Sequence, residues 1–314
     1  MEIIEASSLS FGLKEKTAIA LGMFDGVHLG HQKVISHAKE YAKEHGLKLG
    51  VITLKSHPKE LTHRNLKTKS APKLITNLET RLKVFESIGV DFALVIDFDL
   101  DFMNTSAEDY LSTYLKEKLN VAFISVGFDH HFGKNRSGNL ESLRLWTKEN
   151  QVELKIQEAF QIVDTIVSSS LIRQLLEHSQ IKEVNEYLGY DFRYIAKIIH
   201  GEKKGRQLGF PTANLAIDPK VQLPANGVYK GYCTIVDSKY QGEIYNVAIN
   251  LGHKPTIDSE KALSLEVHIP GFNDDIYGKK LDLRFIEKIR DEKKFDSIDE
   301  LKLQIKKDIE KIYA

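Results

Sequence analysis

The chain has 314 residues, 42% of them hydrophobic, and its 44 basic and 44 acidic side chains cancel. That length allows two domains, each with enough apolar side chains for its own core, and the absence of net positive charge or a Lys/Arg block disfavours a nucleic-acid partner. The lone Cys233 cannot form an intramolecular disulfide and reads as a small strand residue, while the acidic start and the lack of a bilayer-length apolar run point to a cytoplasmic protein with no membrane partner.

From residue 17 to about 160, short continuous apolar runs at 17–21, 49–54, 92–96, 121–126 and 152–156 alternate with helical patterns near 32–45, 78–88, 107–118 and 139–149. Continuous rather than alternating strands are what a parallel sheet covered on both faces requires. The pattern predicts an α/β, doubly wound, Rossmann-like domain whose ligand crevice lies beyond the carboxyl ends of its strands. A helix at 181–188 leads into a different texture. Alternating or β-branched runs at 194–200, 227–236, 243–250, 262–269 and 281–289, separated by Gly/Pro turns, predict a small closed antiparallel barrel. The chain ends in a helix over 298–312, with a Ser297/Glu300 capping box and an apolar stripe of Ile298, Leu301, Ile305, Ile309 and Ile312 for packing on the barrel. The domains are therefore set at 1–186 and 187–314.

The residues suited to chemistry fall at the predicted strand ends. After the first strand, Gly22, Gly26 and Gly30 let a ligand approach the backbone, and the N–H groups of the new helix favour an anion, with a phosphate as the natural guest. His28 and His31, three residues apart, share one face of that first turn. His57, after the second strand, is either a loop imidazole fixed by Pro58 or a ligand contact. The loop Gly127 to Gly138 carries Asp129, Phe132, Lys134 and Arg136, a set suited to a flat ring and a phosphate. Its adjacent His130 and His131 would point to opposite sides, which argues against one shared metal. Ser168, Ser169 and Ser170 open a helix, where capping is the ordinary use of such a cluster, and Arg173 follows one turn in with a guanidinium able to hold two phosphate oxygens.

In the second half, the string from Gly201 to Asn214 is rich in glycine and cations and is not a Walker A sequence. It reads as a loop folding over phosphates, with Thr212 and Asn214 as oxygen ligands for Mg²⁺, although Pro211 to Asn214 taken alone could be a turn. In the run 262–269, Leu263, Leu265, Val267 and Ile269 share one face and leave Glu266 and His268 on the other.

Phe24-Asp25-Gly26-Val27-His28-Leu29-Gly30-His31 resembles the HxGH signature of nucleotidyltransferases, a signature also found in class I aminoacyl-tRNA synthetases. With Gly22 and Gln32 it looks like the version in bacterial bifunctional riboflavin kinase/FMN adenylyltransferases (FAD synthetases). His57-Pro58 matches that family's Phe-Glu-Pro-His-Pro-like loop, while Leu54, Lys55 and Ser56 depart from it. Gly127 to Gly138 is similar to its Gly-x-Asp-x-x-Phe-Gly-x-x-Arg-x-Gly segment, and Ser168 to Arg173 to its Ser-Ser-Thr-x-Ile-Arg, with Ser170 in place of threonine. Gly201 to Asn214 resembles the flavokinase signature, and matches continue at 223–229, 248–256, 265–269, 275–278 and 289–295.

The resemblance implies an enzyme that uses ATP to phosphorylate riboflavin to FMN in the C-terminal domain. A second ATP then adenylylates FMN to FAD, with release of pyrophosphate, in the N-terminal nucleotidyltransferase domain. It makes His28, His31 and Arg173 the stabilisers of charge on the transferred phosphates, and Glu266 the base for riboflavin's 5′-hydroxyl. Mg²⁺ is assigned to Thr212 and Asn214. Substrate contacts fall on Gly22, Phe24, Gly26, Gly30, His57, Asp129, Phe132, Arg136, Ser168 and Ser169 in the first half, and on Gly201, Gly205, Arg206, Gly209, Pro211, Asn250 and Arg290 in the second. Three alternatives stand beside it. Only one half is active, the adenylyl half being the more doubtful because Met23 replaces the usual Asn, Thr or Ser; the chain is a flavin-binding regulator without turnover; or His28, His31 and His57 hold zinc.

Overall fold

The computed structural model describes residues 1–7, 12–61, 71–201, 204–236, 238–240, 242–254 and 262–313. By their contacts the residues sort into two units, Met1–Leu74 with Arg81–Ser169, and Ile75–Thr80 with Ser170–Ala314.

The first unit is built on six parallel strands: β1 (Glu2–Glu5), β2 (Thr17–Leu21), β3 (Lys48–Leu54), β4 (Phe92–Ile96), β5 (Val121–Gly127) and β6 (Glu153–Gln157), in the order β1-β4-β3-β2-β5-β6. Strands β2 and β4 are buried along their whole length, which is why their sequences are apolar without alternation. Ile19, Leu21, Ile52, Leu94, Ile96, Ile124 and Val126 feed one hydrophobic cluster, and the residues between them, small at Ala18, Ala20 and Ser125, are buried as well. The chain leaves β2 for β3 on one side, and β5 pairs with β2 on the other. The crevice at such a reversal opens above the carboxyl ends of β2 and β5. Strand β1 was not foreseen: it is four residues long with one buried side chain, too little for a periodic signal. The helix expected at 107–118 is α-helical only over Ala107–Asp109 and continues with π-helical spacing over Tyr110–Lys118, where Tyr110 and Tyr114 both meet Phe102. A small hairpin, β7 (Gln161–Ile162) and β8 (Thr165–Ile166), follows the sheet.

In the second unit six antiparallel strands close into a barrel: β9 (Phe192–Ile199), β10 (Thr212–Leu215), β11 (Gly227–Val236), β12 (Tyr245–Lys254), β13 (Ala262–His268) and β14 (Lys280–Arg290), in the order β10-β13-β12-β11-β14-β9. The short β10, inside the glycine-rich string, closes it by pairing with both β9 and β13. Tyr194, Leu215, Tyr229, Ile249, Leu265, Val267 and Phe285 belong to its core together with Cys233, whose thiol burial pushes up to about 12. The helices Ser169–Glu177 and Ile181–Leu188 insert Ile172, Leu176, Ile181, Val184 and Leu188 into this same core, so both pack with the barrel although the sequence division at 186/187 groups them with the first domain. The final helix, Ile298–Tyr313, starts with Glu300 N donating to Ser297 Oγ (3.2 Å) and buries Ile312 and Asp308. Ile298 does not join the expected stripe; at the first helical position it is 62% exposed. Among the described residues no helix is long and apolar enough to cross a membrane.

Candidate active sites

The first site is a turn at the carboxyl end of β2. Phe24 and Val27 adopt left-handed backbone (φ 54° and 39°), as does Gly26 (φ 80°), a costly run for two bulky residues that only surrounding contacts can hold. Those contacts are visible. Phe24 is buried and meets Phe85 and His31 edge-on, and Ser169 Oγ donates to Asp25 O at 3.0 Å. His28 is the N-cap of helix Leu29–His45, its Nδ1 accepting from His31 N at 3.3 Å. The two imidazoles stack with centroids 3.6 Å apart and planes within 16°. A Cβ on Gly30 would stand 3.2 Å from His28 Cε1, tighter than an ordinary contact, so a side chain there would press on the stack. Burial, then the neighbouring His28 and Arg81, hold His31 well below the ordinary imidazole range, and its buried Nδ1 has no hydrogen-bond partner. A neutral ring with an uncommitted nitrogen, at a helix N-terminus, can take up a hydrogen bond and a positive charge when an anion arrives.

The other first-half candidates lie as follows. Gly22 lies beside the Phe24 ring. His57 follows β3 and its Nδ1 accepts from Lys59 N at 3.1 Å. After β5, Asp129 and Arg136 are exposed, Arg136 with Nη2 3.0 Å from His131 Nδ1. Phe132 turns inward: it is 8% exposed, packs on Tyr110 and His130, and exchanges backbone hydrogen bonds with Gly138, so its ring shapes the loop. Burial, then His131 and Arg136, lower the His130 pKa to about 4. Ser168 is half-buried. Arg173, also half-buried, lies one turn into the helix Ser169–Glu177, among the residues that cluster with the second unit.

One residue at the first site was missed. Arg81 is fully buried and donates from Nη1 to Met23 O (2.9 Å) and from Nη2 to Leu54 O (2.8 Å), while Thr53 Oγ1 also donates to Met23 O (2.8 Å). A signal existed: Arg81 precedes the buried Val84 and Phe85 by three and four residues and so shares their apolar helix face.

The second site is assembled by strand register on the outside of the barrel. Glu266 on β13 stands opposite Asn214 on β10 and opposite Asn250 on β12; Asn250 is opposite Val228, and Val228 opposite Arg290. Because Leu265 and Val267 point into the core, this row faces outward, as the alternation in the sequence predicts. Thr212 Oγ1 donates to Glu266 Oε2 at 3.1 Å. The row lines a cavity of about 480 Å³ walled by Phe210, Phe295 and, from the final helix, Leu301 and Ile305. Arg290 is held there by Asp308, with Nε 3.0 Å and Nη2 2.8 Å from Oδ2. A second cavity of about 470 Å³, lined by Arg206, Pro211, Ile276 and Tyr277 among others, shares Thr212 with the first. The glycines of the string serve close approach: a Cβ on Gly201 would run into the Asn214 amide, and one on Gly205 into Phe210 O and towards the Thr212 hydroxyl. Gly209 takes a left-handed φ of 89°, and His268 Nδ1 lies 2.8 Å from Pro211 O. Glu202, Lys203, Pro255 and Thr256 of the matched segments lie outside the described residues.

A doubly wound domain with stacked histidines at a helix start, and a barrel whose outer face gathers a carboxylate, two amides, a hydroxyl and an arginine, define the class: a two-site transferase acting on phosphate groups. The FAD synthetase family matches residues 11–171 and the riboflavin kinase family residues 188–314. The chain belongs to the bifunctional riboflavin kinase/FMN adenylyltransferase family, enzymes of flavin cofactor biosynthesis. It is 35% identical over 310 residues to the Haemophilus influenzae member, covering 99% of this chain and 97% of that one, and 36% identical to the Bacillus subtilis member, covering 93% and 90%. A solved structure from Streptococcus pneumoniae described as a macrolide-efflux protein has 30% identity and a TM-score of 0.83, over 99% of this chain and 98% of that one.

Proposed function

We propose that the two sites divide the two reactions of flavin cofactor synthesis between them. Riboflavin's flat ring system occupies the cavity under the final helix, where Phe210, Phe295, Leu301 and Ile305 offer apolar walls. ATP lies in the neighbouring cavity with its phosphates at Thr212, the residue lining both. Glu266 accepts the proton of the 5′-hydroxyl as that oxygen attacks the γ-phosphorus; the bond to the β-phosphate oxygen breaks and ADP leaves. Among the described residues no cluster of three His, Cys, Asp or Glu side chains could hold a metal on its own. A hard cation arriving with a nucleotide needs only one or two protein oxygens, and the glycine-lined approach to the Thr212 hydroxyl and Asn214 amide fits Mg²⁺. When bound it would neutralise charge on the triphosphate.

At the first site a phosphate oxygen of FMN attacks the α-phosphorus of a second ATP and pyrophosphate departs. His28, His31 and the helix N-terminus stabilise the charge that builds on the α-phosphate and the leaving group; Ser168, Ser169 and Arg173 are assigned to the phosphates, and Asp129 and Arg136 to the loop that meets the flavin nucleotide. The observation that carries the reading is the register row Asn214–Glu266–Asn250 beside Thr212. A protein with these reactions works in the cytoplasm, where ATP is supplied.

Incubation with riboflavin, ATP and Mg²⁺ followed by chromatography of the flavins tests both steps. H28A should form FMN but no FAD, and N214A should form FAD only when FMN is supplied. Equal loss of both steps in either variant refutes the two-site scheme.

A further inference from the structure

We propose that Arg81 is a positioning residue for FMN adenylylation: it clamps the two backbone carbonyls that fix the histidine turn and the neighbouring His57 loop. The inference rests on the assignment of the adenylyl step to the first site. Its two acceptors, Met23 O and Leu54 O, sit at the ends of the adjacent parallel strands β2 and β3, where these loops begin. A single planar guanidinium holding both carbonyls fixes the spacing of the loops in a way that a point charge cannot.

Three features give the clamp a functional reading beyond packing. Arg81 holds Met23 and Leu54, and Thr53 also holds Met23, through main-chain oxygens, which no side-chain substitution removes. The residue next to Met23 is Phe24, in a left-handed conformation and in edge contact with His31, so fixing the Met23 carbonyl fixes the entry to a strained turn. Finally, Arg81 lies close enough to His31 to oppose its protonation, so the cation that anchors the loops also contributes to the field around the stacked imidazoles. Loss of the clamp should let the turn relax by a fraction of an ångström. A misplacement of that order impairs the transition state more than substrate binding.

R81M keeps a buried, unbranched chain and removes every donor; R81K keeps the charge and can reach one carbonyl. Both steps are to be assayed separately in the full-length protein, with thermal unfolding as a control. For R81M the expected result is a fall of roughly 100-fold in kcat for FMN to FAD, with KM for FMN and ATP within about 3-fold and riboflavin phosphorylation within about 2-fold. R81K should recover part of the lost kcat. Adenylylation by R81M within about 3-fold of the unmodified protein, or a loss confined to KM, overturns the inference. If R81M does not fold, T53V carries the test, because it removes the other donor to Met23 O: a roughly 5-fold fall in the same kcat supports the clamp, and no change overturns it. Absence of FAD formation by the unmodified protein would instead break the assignment on which the inference rests.

Discussion

The two candidate sites are built in opposite ways. The first is local: eight consecutive residues, Phe24 to His31, supply the strained turn, the N-cap and the imidazole stack, and the fold contributes supports from outside, Arg81, Thr53 and Ser169. The second is distributed: Asn214, Asn250, Glu266 and Arg290 are far apart in the chain and meet because antiparallel register places them side by side. A transfer whose nucleophile is already an anion needs donors and positive potential, which a helix start provides. A transfer from a neutral alcohol needs a base as well, and the barrel's outer face provides a carboxylate.

The sharpest way to separate them is E266Q. On the proposed assignment of Glu266 as the base, this substitution should lower riboflavin phosphorylation by roughly 100-fold or more while FAD formation from supplied FMN is unchanged, as separate product assays would show. A matching loss at both steps would mean that the sites are not chemically distinct.

A second prediction concerns what holds the wall of the cavity under the final helix. Asp308 is buried and holds the partly exposed Arg290 in a two-point ion pair. D308A should destabilise the protein by about 2 to 3 kcal/mol in urea unfolding, somewhat below the figure for a fully buried pair, because Arg290 keeps some contact with water.

The first unit should also be the acid-sensitive one through its histidines. In the unfolded chain imidazoles protonate near pH 6.5, but His130 stays neutral in the folded protein down to about 4, and His31 is lowered in the same direction. Below pH 6.5 the unfolded state therefore binds more protons. This contribution is fully present above pH 6.5 and declines as the pH falls through the folded values. H130N should flatten the fall in urea midpoint between pH 6.5 and 4; an unchanged slope would remove His130 from the account.

The smallest expected effect lies at the hairpin tip. Val163 is 89% exposed at φ 54°, and Asp164 follows it without a positive φ, a turn that favours glycine at its first position. V163G should raise stability by about 1 kcal/mol, read as an increase in unfolding temperature.

Much of this was legible in the chain. Continuous apolar runs reveal β2 and β4, and alternation places Glu266 on the opposite face from Leu265 and Val267. Strands β1 and β10 were hidden because a four-residue strand has too few periods. Arg81 was hidden because a charged residue on an apolar helix face shows that something is bound without showing what.

The sequence by itself determined the fold classes, the histidine turn and the face on which Glu266 lies, since each depends on local periodicity or on neighbouring residues. Only the tertiary structure decided which carbonyls Arg81 holds, that Phe132 turns inward, that Arg290 meets Asp308, and that Asn214, Glu266 and Asn250 form one row. Those are pairings between distant segments. They depend on strand register and on which buried polar group finds a partner, and neither is encoded in any short stretch of chain.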